Sequence, residues 1–162
     1  MVAEVWEGYS TIADYYESGI TSIFNFPFGE ANGKIISVIR GAGNAKTVST
    51  YATALEKADK AYGEKNPAYI DAPFLSNHDM DRIAGTFITE NHMRMAANLY
   101  LLSPGSPVIY YGEEIGMRGS RGSESTDANR RLAMLWGDGD LIRNPVGASY
   151  PENKQITTTV AD

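Results

Sequence analysis

Residues 68–82 read Ala-Tyr-Ile-Asp-Ala-Pro-Phe-Leu-Ser-Asn-His-Asp-Met-Asp-Arg. The first part, Ala68 to Leu75, follows a proline and is rich in aromatic and aliphatic side chains, the composition of a buried strand. At Ser76 the character changes abruptly. Asn77, His78, Asp79, Asp81 and Arg82 deliver an amide, an imidazole, two carboxylates and a guanidinium. In parallel α/β folds, polar groups at the C-terminal end of a strand face the ligand crevice, so this stretch predicts both a strand and a site. A helix cap with a neighbouring ion pair is the simpler alternative for the same residues.

The surrounding chain repeats the pattern. Met1 to Trp6, Thr21 to Phe26 and Pro107 to Tyr111 are three further strand candidates. Helix candidates lie between them at Tyr9 to Glu17, Gly29 to Arg40, Val48 to Tyr62 and Glu90 to Leu102, the last with Met93, Ala96, Ala97, Tyr100 and Leu101 spaced as one apolar face. Strands alternating with helices predict an α/β fold with a parallel sheet. From Gly112 the chain turns rich in Gly, Ser and charge and reads as a long functional loop. The stretch from 138 to 162 is polar and expected to be loop or tail, partly mobile.

Composition narrows the function classes. The chain has 162 residues, a net charge of −6, 43% hydrophobic and 21% charged residues, which suits a packed soluble domain rather than a disordered one. Its basic residues form no stripe, so no nucleic-acid partner is expected. No apolar run reaches the length of a membrane span, and the N-terminus carries no basic-then-apolar leader. Cysteine is absent, which removes thiol nucleophiles and zinc-thiolate sites.

Glu4 sits between Ala3 and Val5-Trp6 in the first strand candidate. A carboxylate in an apolar run calls for a pocket, a partner or a task, and burial would raise its pKa towards that of a proton donor near neutrality. A salt-bridged or solvated glutamate is the alternative. Glu4 and Asp79 lie about two βα units apart, and two carboxylates at strand ends suggest glycoside chemistry.

Phe74 to Arg82 (FLSNHDMDR) resembles the seventh-strand motif of glycoside hydrolase family 13, the α-amylase family, and Ala3 to Trp6 (AEVW) resembles its fifth-strand motif. Gly105 to Glu114 (GSPVIYYGEE) is similar to its eighth-strand pattern, and Arg131, Met134 and Trp136 resemble the stretch that follows. These motifs occur in family order across most of the chain. The resemblance implies a partial (β/α)8 barrel, strands five to eight with their intervening helices, over residues 1–137. It implies that Glu4 is the general acid/base and that Asp79 is the carboxylate stabilising the oxocarbenium-like transition state. By the same likeness His78 and Asn77 contact the sugar, and Trp6 offers it an aromatic face; a core position is the alternative for Trp6. Arg82 is expected to support Asp79 or its neighbours through an ion pair, and His92 to be structural.

A closed barrel takes about 250 residues. In the family the nucleophile is an aspartate on the fourth strand, preceded two residues earlier by an arginine, and no such segment precedes Glu4. Strands one to four, and any calcium site built on their loops, have no counterpart here, so no metal or cofactor is expected in this chain. The sequence therefore reads as a fragment of a retaining α-glucan hydrolase acting on starch-like glucosides, inactive in isolation, with open strand edges that favour self-association. Two alternatives stay open: a fragment of an α-glucosyltransferase of the same family, and a non-catalytic sugar-binding relative.

Overall fold

A computed structural model describes residues 1–86, 89–122, 127–139 and 142–162. The chain forms two compact units, Met1–Leu75 with Arg94–Val108, and Ser76–Met93 with Ile109–Asp162.

In the first unit four extended segments run parallel in chain order. β1 (Val2–Ala3) pairs with β2 (Ser22–Ile23). Phe24 then bridges to Ala72, and Phe74 to Val108. All four fall inside the strand candidates, but the paired stretches are shorter. Proline explains part of this: Pro73 accepts from the Val108 N–H (2.9 Å) and has no N–H to donate, so its segment pairs only through isolated bridges.

The helices are α1 (Tyr9–Tyr16), α2 (Lys34–Arg40), α3 (Val48–Lys65) and α4 (Glu90–Leu101). α2 starts five residues after the expected Gly29, because 26–33 folds into tight turns. The N–H groups of Phe28 and Gly29 both donate to the Asn25 carbonyl, each at 3.1 Å. A Cβ on Gly33 would lie 1.6 Å from the Gly29 carbonyl oxygen, so only glycine fits there. α3 begins at Thr47, whose Oγ1 accepts from the Thr50 N–H (3.2 Å) while Thr50 Oγ1 accepts from the Thr47 N–H (3.0 Å); such a cap is worth about 1 kcal/mol.

α1 and α3 pack through Tyr16 and Tyr62, ring centroids 5.1 Å apart. Tyr16 also fastens α1 to the sheet, since its hydroxyl accepts from the Ile23 N–H at 3.1 Å. Phe74 meets both Phe24 and Phe26 edge to face at 5.1 Å. Together with buried Ile12, Ile23, Ile35, Ile36 and Leu75 these rings form the core, each large side chain contributing about 1.5–3 kcal/mol when fully buried. On α4, Ala96 and Tyr100 of the expected apolar face are buried, whereas Leu101 is exposed.

The second unit has no strand among its described residues. It is built from 3-10 turns at Ile83–Thr86, Ala128–Arg130 and Glu152–Lys154 and the loops between them. Residues 123–126 of the expected long loop, and 140–141 of the expected tail, lie outside the described residues. The C-terminal stretch is tied back by several bonds within its unit. The Ser149 N–H donates to Asn129 Oδ1 (2.7 Å), Gln155 Nε2 to the Arg118 carbonyl (2.7 Å), and the Val160 N–H to the Leu135 carbonyl (2.9 Å). Among the described residues no helix is long and apolar enough to cross a membrane.

Candidate functional site

In the first unit Glu4 directly follows β1. Strand alternation sends Val5 into the core and Glu4 outward, and Glu4 is exposed. Of the alternatives left open for Glu4, a pocket or a solvated position, the structure shows the solvated one: two of its apolar neighbours, Val2 and Trp6, are themselves exposed. The enclosed acid on a strand segment is Asp71 instead. Its Oδ2 accepts from Asn25 Nδ2 (2.7 Å), its Oδ1 is buried without a partner, and burial pushes its pKa up to about 6. Trp6 is not a core residue: it is 52% exposed and stacks one face on buried Phe26, centroids 5.2 Å apart and planes 21° from parallel.

In the second unit the segment after Leu75 makes a sharp turn. Asn77 is buried, and its Oδ1 accepts from the Asp79 N–H at 2.9 Å, the side-chain turn that asparagine forms readily. The turn leaves His78 and Asp79 accessible, with side chains 53% and 41% exposed. His78 Nε2 lies 3.4 Å from Asp79 Oδ2, and Arg131 Nη2 donates to Asp79 Oδ1 at 2.8 Å.

Arg130 and Arg131 together hold this turn. Arg131 Nε donates to the His78 carbonyl (3.1 Å) and Arg130 Nη1 to the Asp79 carbonyl (2.7 Å). Arg130 Nε also reaches Asp81 Oδ1 (2.8 Å), and both arginines meet Asp127, at 2.9 and 3.4 Å. Ion pairs that are in part exposed contribute about 0–1 kcal/mol each, so the effect of these is to fix geometry more than to supply stability.

Arg82 departs from expectation. It supports the region, but not through an ion pair to Asp79, which Arg131 takes. Arg82 is 1% exposed, donates from Nη1 to the Tyr111 carbonyl (2.6 Å), and lies against the Tyr110 and Tyr111 rings at 4.4 and 4.5 Å. A weakly hydrated guanidinium tolerates such aromatic enclosure. It leads into buried Ile83 and Ala84, and no described carboxylate is within ion-pair distance of it.

Beside it Glu113 is buried and accepts from Ser76 Oγ (2.5 Å) and the Tyr110 N–H (3.3 Å). Burial pushes its carboxyl up to about 7, against the pull of Ser76, Tyr110 and Arg82. Neither Asp79 nor His78 lines the cavity of about 480 Å³ in this unit, whose wall includes Asp81, Arg82, Asn129 and Tyr150. His92 is half-buried on α4. No group of three or more His, Cys, Asp or Glu that could hold a metal ion occurs among the described residues.

Chemically, the second unit presents an oriented carboxylate and an adjacent imidazole, both accessible, which suits a polyhydroxylated ligand. The first presents an exposed carboxylate and a half-exposed indole stacked on Phe26. Sequence reading attached no role to Asp127, Arg130, Glu113 or Asp71. Asp71 carries the signal applied to Glu4, a lone acid in an apolar run. Asp127 and Arg131 carry the four-residue charge spacing of a local pair.

Comparison with known proteins adds the following. The family model for the alpha-amylase catalytic domain matches residues 1–155. The chain is 38% identical over 125 residues to alpha-amylase 3 of Dictyoglomus thermophilum, covering 76% of this chain and 23% of that protein. It is 34% identical over 139 residues to the alpha-amylase SusG of Bacteroides thetaiotaomicron, covering 85% of this chain and 19% of that one. Among solved structures, Amy13B of Eubacterium rectale superposes with a TM-score of 0.87 at 41% identity, over 99% of this chain and 31% of that chain.

Proposed function

The chain belongs to the α-amylase family of α-glucan-active enzymes, and from that premise we propose that the protein containing it cleaves starch-like α-glucosides by double displacement with retention of configuration. The observation that supports this most is the placement of two accessible carboxylates. Glu4 follows β1 directly, and Asp79 lies shortly beyond the extended segment at Phe74. In parallel α/β folds that end of the strands is where catalytic groups are carried.

In this proposal Glu4 protonates the departing glycosidic oxygen and then takes a proton from the attacking water. Asp79 and His78 bind hydroxyls of the sugar whose ring flattens in the transition state, and Asn77 sets the turn that presents them. The nucleophilic carboxylate belongs to residues with no match in this chain, which corresponds in extent to strands five to eight of the barrel. In this proposal any calcium site belongs to those residues as well. The chain alone is then expected to turn over no substrate.

A chromogenic maltooligosaccharide tests this. The full-length protein should release chromophore, Glu4→Gln should lower the rate about 10²–10⁴-fold, and the isolated chain should release none. Retention is read by NMR from the first-formed anomer, and a β-anomer would refute the double displacement. Products longer than the substrate would assign the protein to glycosyl transfer. Tight binding without turnover by the full-length protein would make it a sugar-binding relative.

A further inference from the structure

Tyr110 and Tyr111 are adjacent in the second unit, and their hydroxyls bracket a single residue. Tyr110 donates to the Arg130 carbonyl (3.0 Å) and Tyr111 to the Leu132 carbonyl (2.6 Å), so both neighbours of Arg131 are held from one short segment. That segment is firm for local reasons. Residues 110–113 form a tight turn in which the Glu113 N–H donates to the Tyr110 carbonyl (3.1 Å), and its third position is Gly112 at φ +83°, a conformation that glycine adopts without strain. Buried Arg82 braces the turn from inside. It donates to the Tyr111 carbonyl (2.6 Å) and lies against both rings, which meet edge to face at 4.7 Å.

Arg131 needs such a mount. Its guanidinium and the Asp79 carboxylate are both partly exposed, and an exposed ion pair by itself holds a long side chain weakly against its rotamer entropy. Yet one guanidinium here reaches three acceptors: Asp79 Oδ1 (2.8 Å), the His78 carbonyl (3.1 Å) and Asp127 Oδ2 (3.4 Å). A planar, rigid fork meets fixed acceptors only from a narrow range of backbone positions. The same turn also holds the other side of the pair, since Glu113 accepts from Ser76 Oγ (2.5 Å), the residue before Asn77.

We propose that Tyr110 and Tyr111 are positioning residues: their hydroxyls fix the chain on both sides of Arg131 and so aim its guanidinium at Asp79, which then meets the flattening sugar ring in one orientation. This rests on the reading of Asp79 as the transition-state contact made above. A small displacement of such a carboxylate is felt in the rate more than in substrate binding.

The test measures kcat and KM of the full-length protein on the chromogenic maltooligosaccharide. Replacing both tyrosines by phenylalanine keeps the rings against Arg82 and removes only the two hydroxyl bonds. The double variant Tyr110→Phe/Tyr111→Phe should lose about tenfold in kcat, with KM within about twofold of the parent. Arg131→Met should lose at least as much. Adding both tyrosine substitutions to Arg131→Met should lower kcat by no more than about a further twofold, because hydroxyls that act through Arg131 have nothing left to aim. A purely structural contribution would subtract equally in both backgrounds.

Parental kcat in the double variant, a change confined to KM, or equal losses with and without Arg131 would overturn the positioning role. Asp79→Asn separates that outcome from the reading beneath it. It should lower kcat about 10²-fold or more, and a parental rate there would overturn the role of Asp79 itself. If the double variant does not fold, Tyr111→Phe alone, which removes the shorter bond, decides by the same comparison, with an expected loss of about threefold.

Discussion

Glu113→Gln is expected to remove a pH-dependent loss of stability. Burial raises the Glu113 carboxyl from 4.5 to about 7, despite the Ser76 hydroxyl, the Tyr110 N–H and the Arg82 charge, which all favour ionisation. Between those two values the folded protein keeps a proton that the unfolded chain has released, so Glu113 makes stability fall as pH rises. At about 1.4 kcal/mol per pH unit, the interval from 4.5 to about 7 amounts to about 3 kcal/mol.

Glutamine has nearly the same shape and cannot titrate. Its altered bond to Ser76 adds a cost that is constant with pH, so the informative quantity is the change in the difference between variant and parent. Urea unfolding from pH 4 to 8 should show that difference moving by about 3 kcal/mol in favour of glutamine, mostly between pH 5 and 7. Asp71, raised to about 6 by its own burial, titrates in both proteins and cancels. A constant difference across the range, or one moving in favour of the parent, would refute the claim that desolvation outweighs the Arg82 charge.

Two further outcomes follow from the packing. Arg82→Ala should cost about 3 kcal/mol in thermal or urea unfolding, combining a charge-assisted bond, two cation–π contacts and a cavity. Arg82→Met should cost no more than about half of that, because it fills the space and removes the buried, unpartnered Nε and Nη2; equal losses would show that packing and desolvation are minor there. The isolated chain should self-associate in light scattering at micromolar concentration. Among the described residues β1 pairs only with β2, and Val108 only with Phe74, which leaves the outer edges of the parallel set without partners; a compact monomer would contradict this.

Much of the fold was legible because its signals are local. A helix candidate from Val48 to Tyr62 anticipated most of α3, and the apolar runs placed the four parallel segments. Strand length was not legible, since Pro73 limits pairing only once its neighbour's register is known. The start of α2 was misjudged because the close approach of Gly29 and Gly33 is a property of the folded turn. In the site, the sequence pointed to Asn77, His78, Asp79 and Glu4 as a group of polar residues at strand ends. It misassigned the partner of Asp79, since Arg82 and Arg131 are both plausible until one of them is seen to lie buried between tyrosine rings.

By itself, then, the sequence determined the family and pointed to the alternation of strand and helix and to the residues proposed for the chemistry, because periodicity and motif spacing are written along the chain. Tertiary structure alone decided which acids are enclosed and which are open to solvent, Asp71 and Glu113 on one side and Glu4 and Asp79 on the other. Desolvation and ion pairing depend on neighbours distant in sequence, and those neighbours are chosen only when the chain packs.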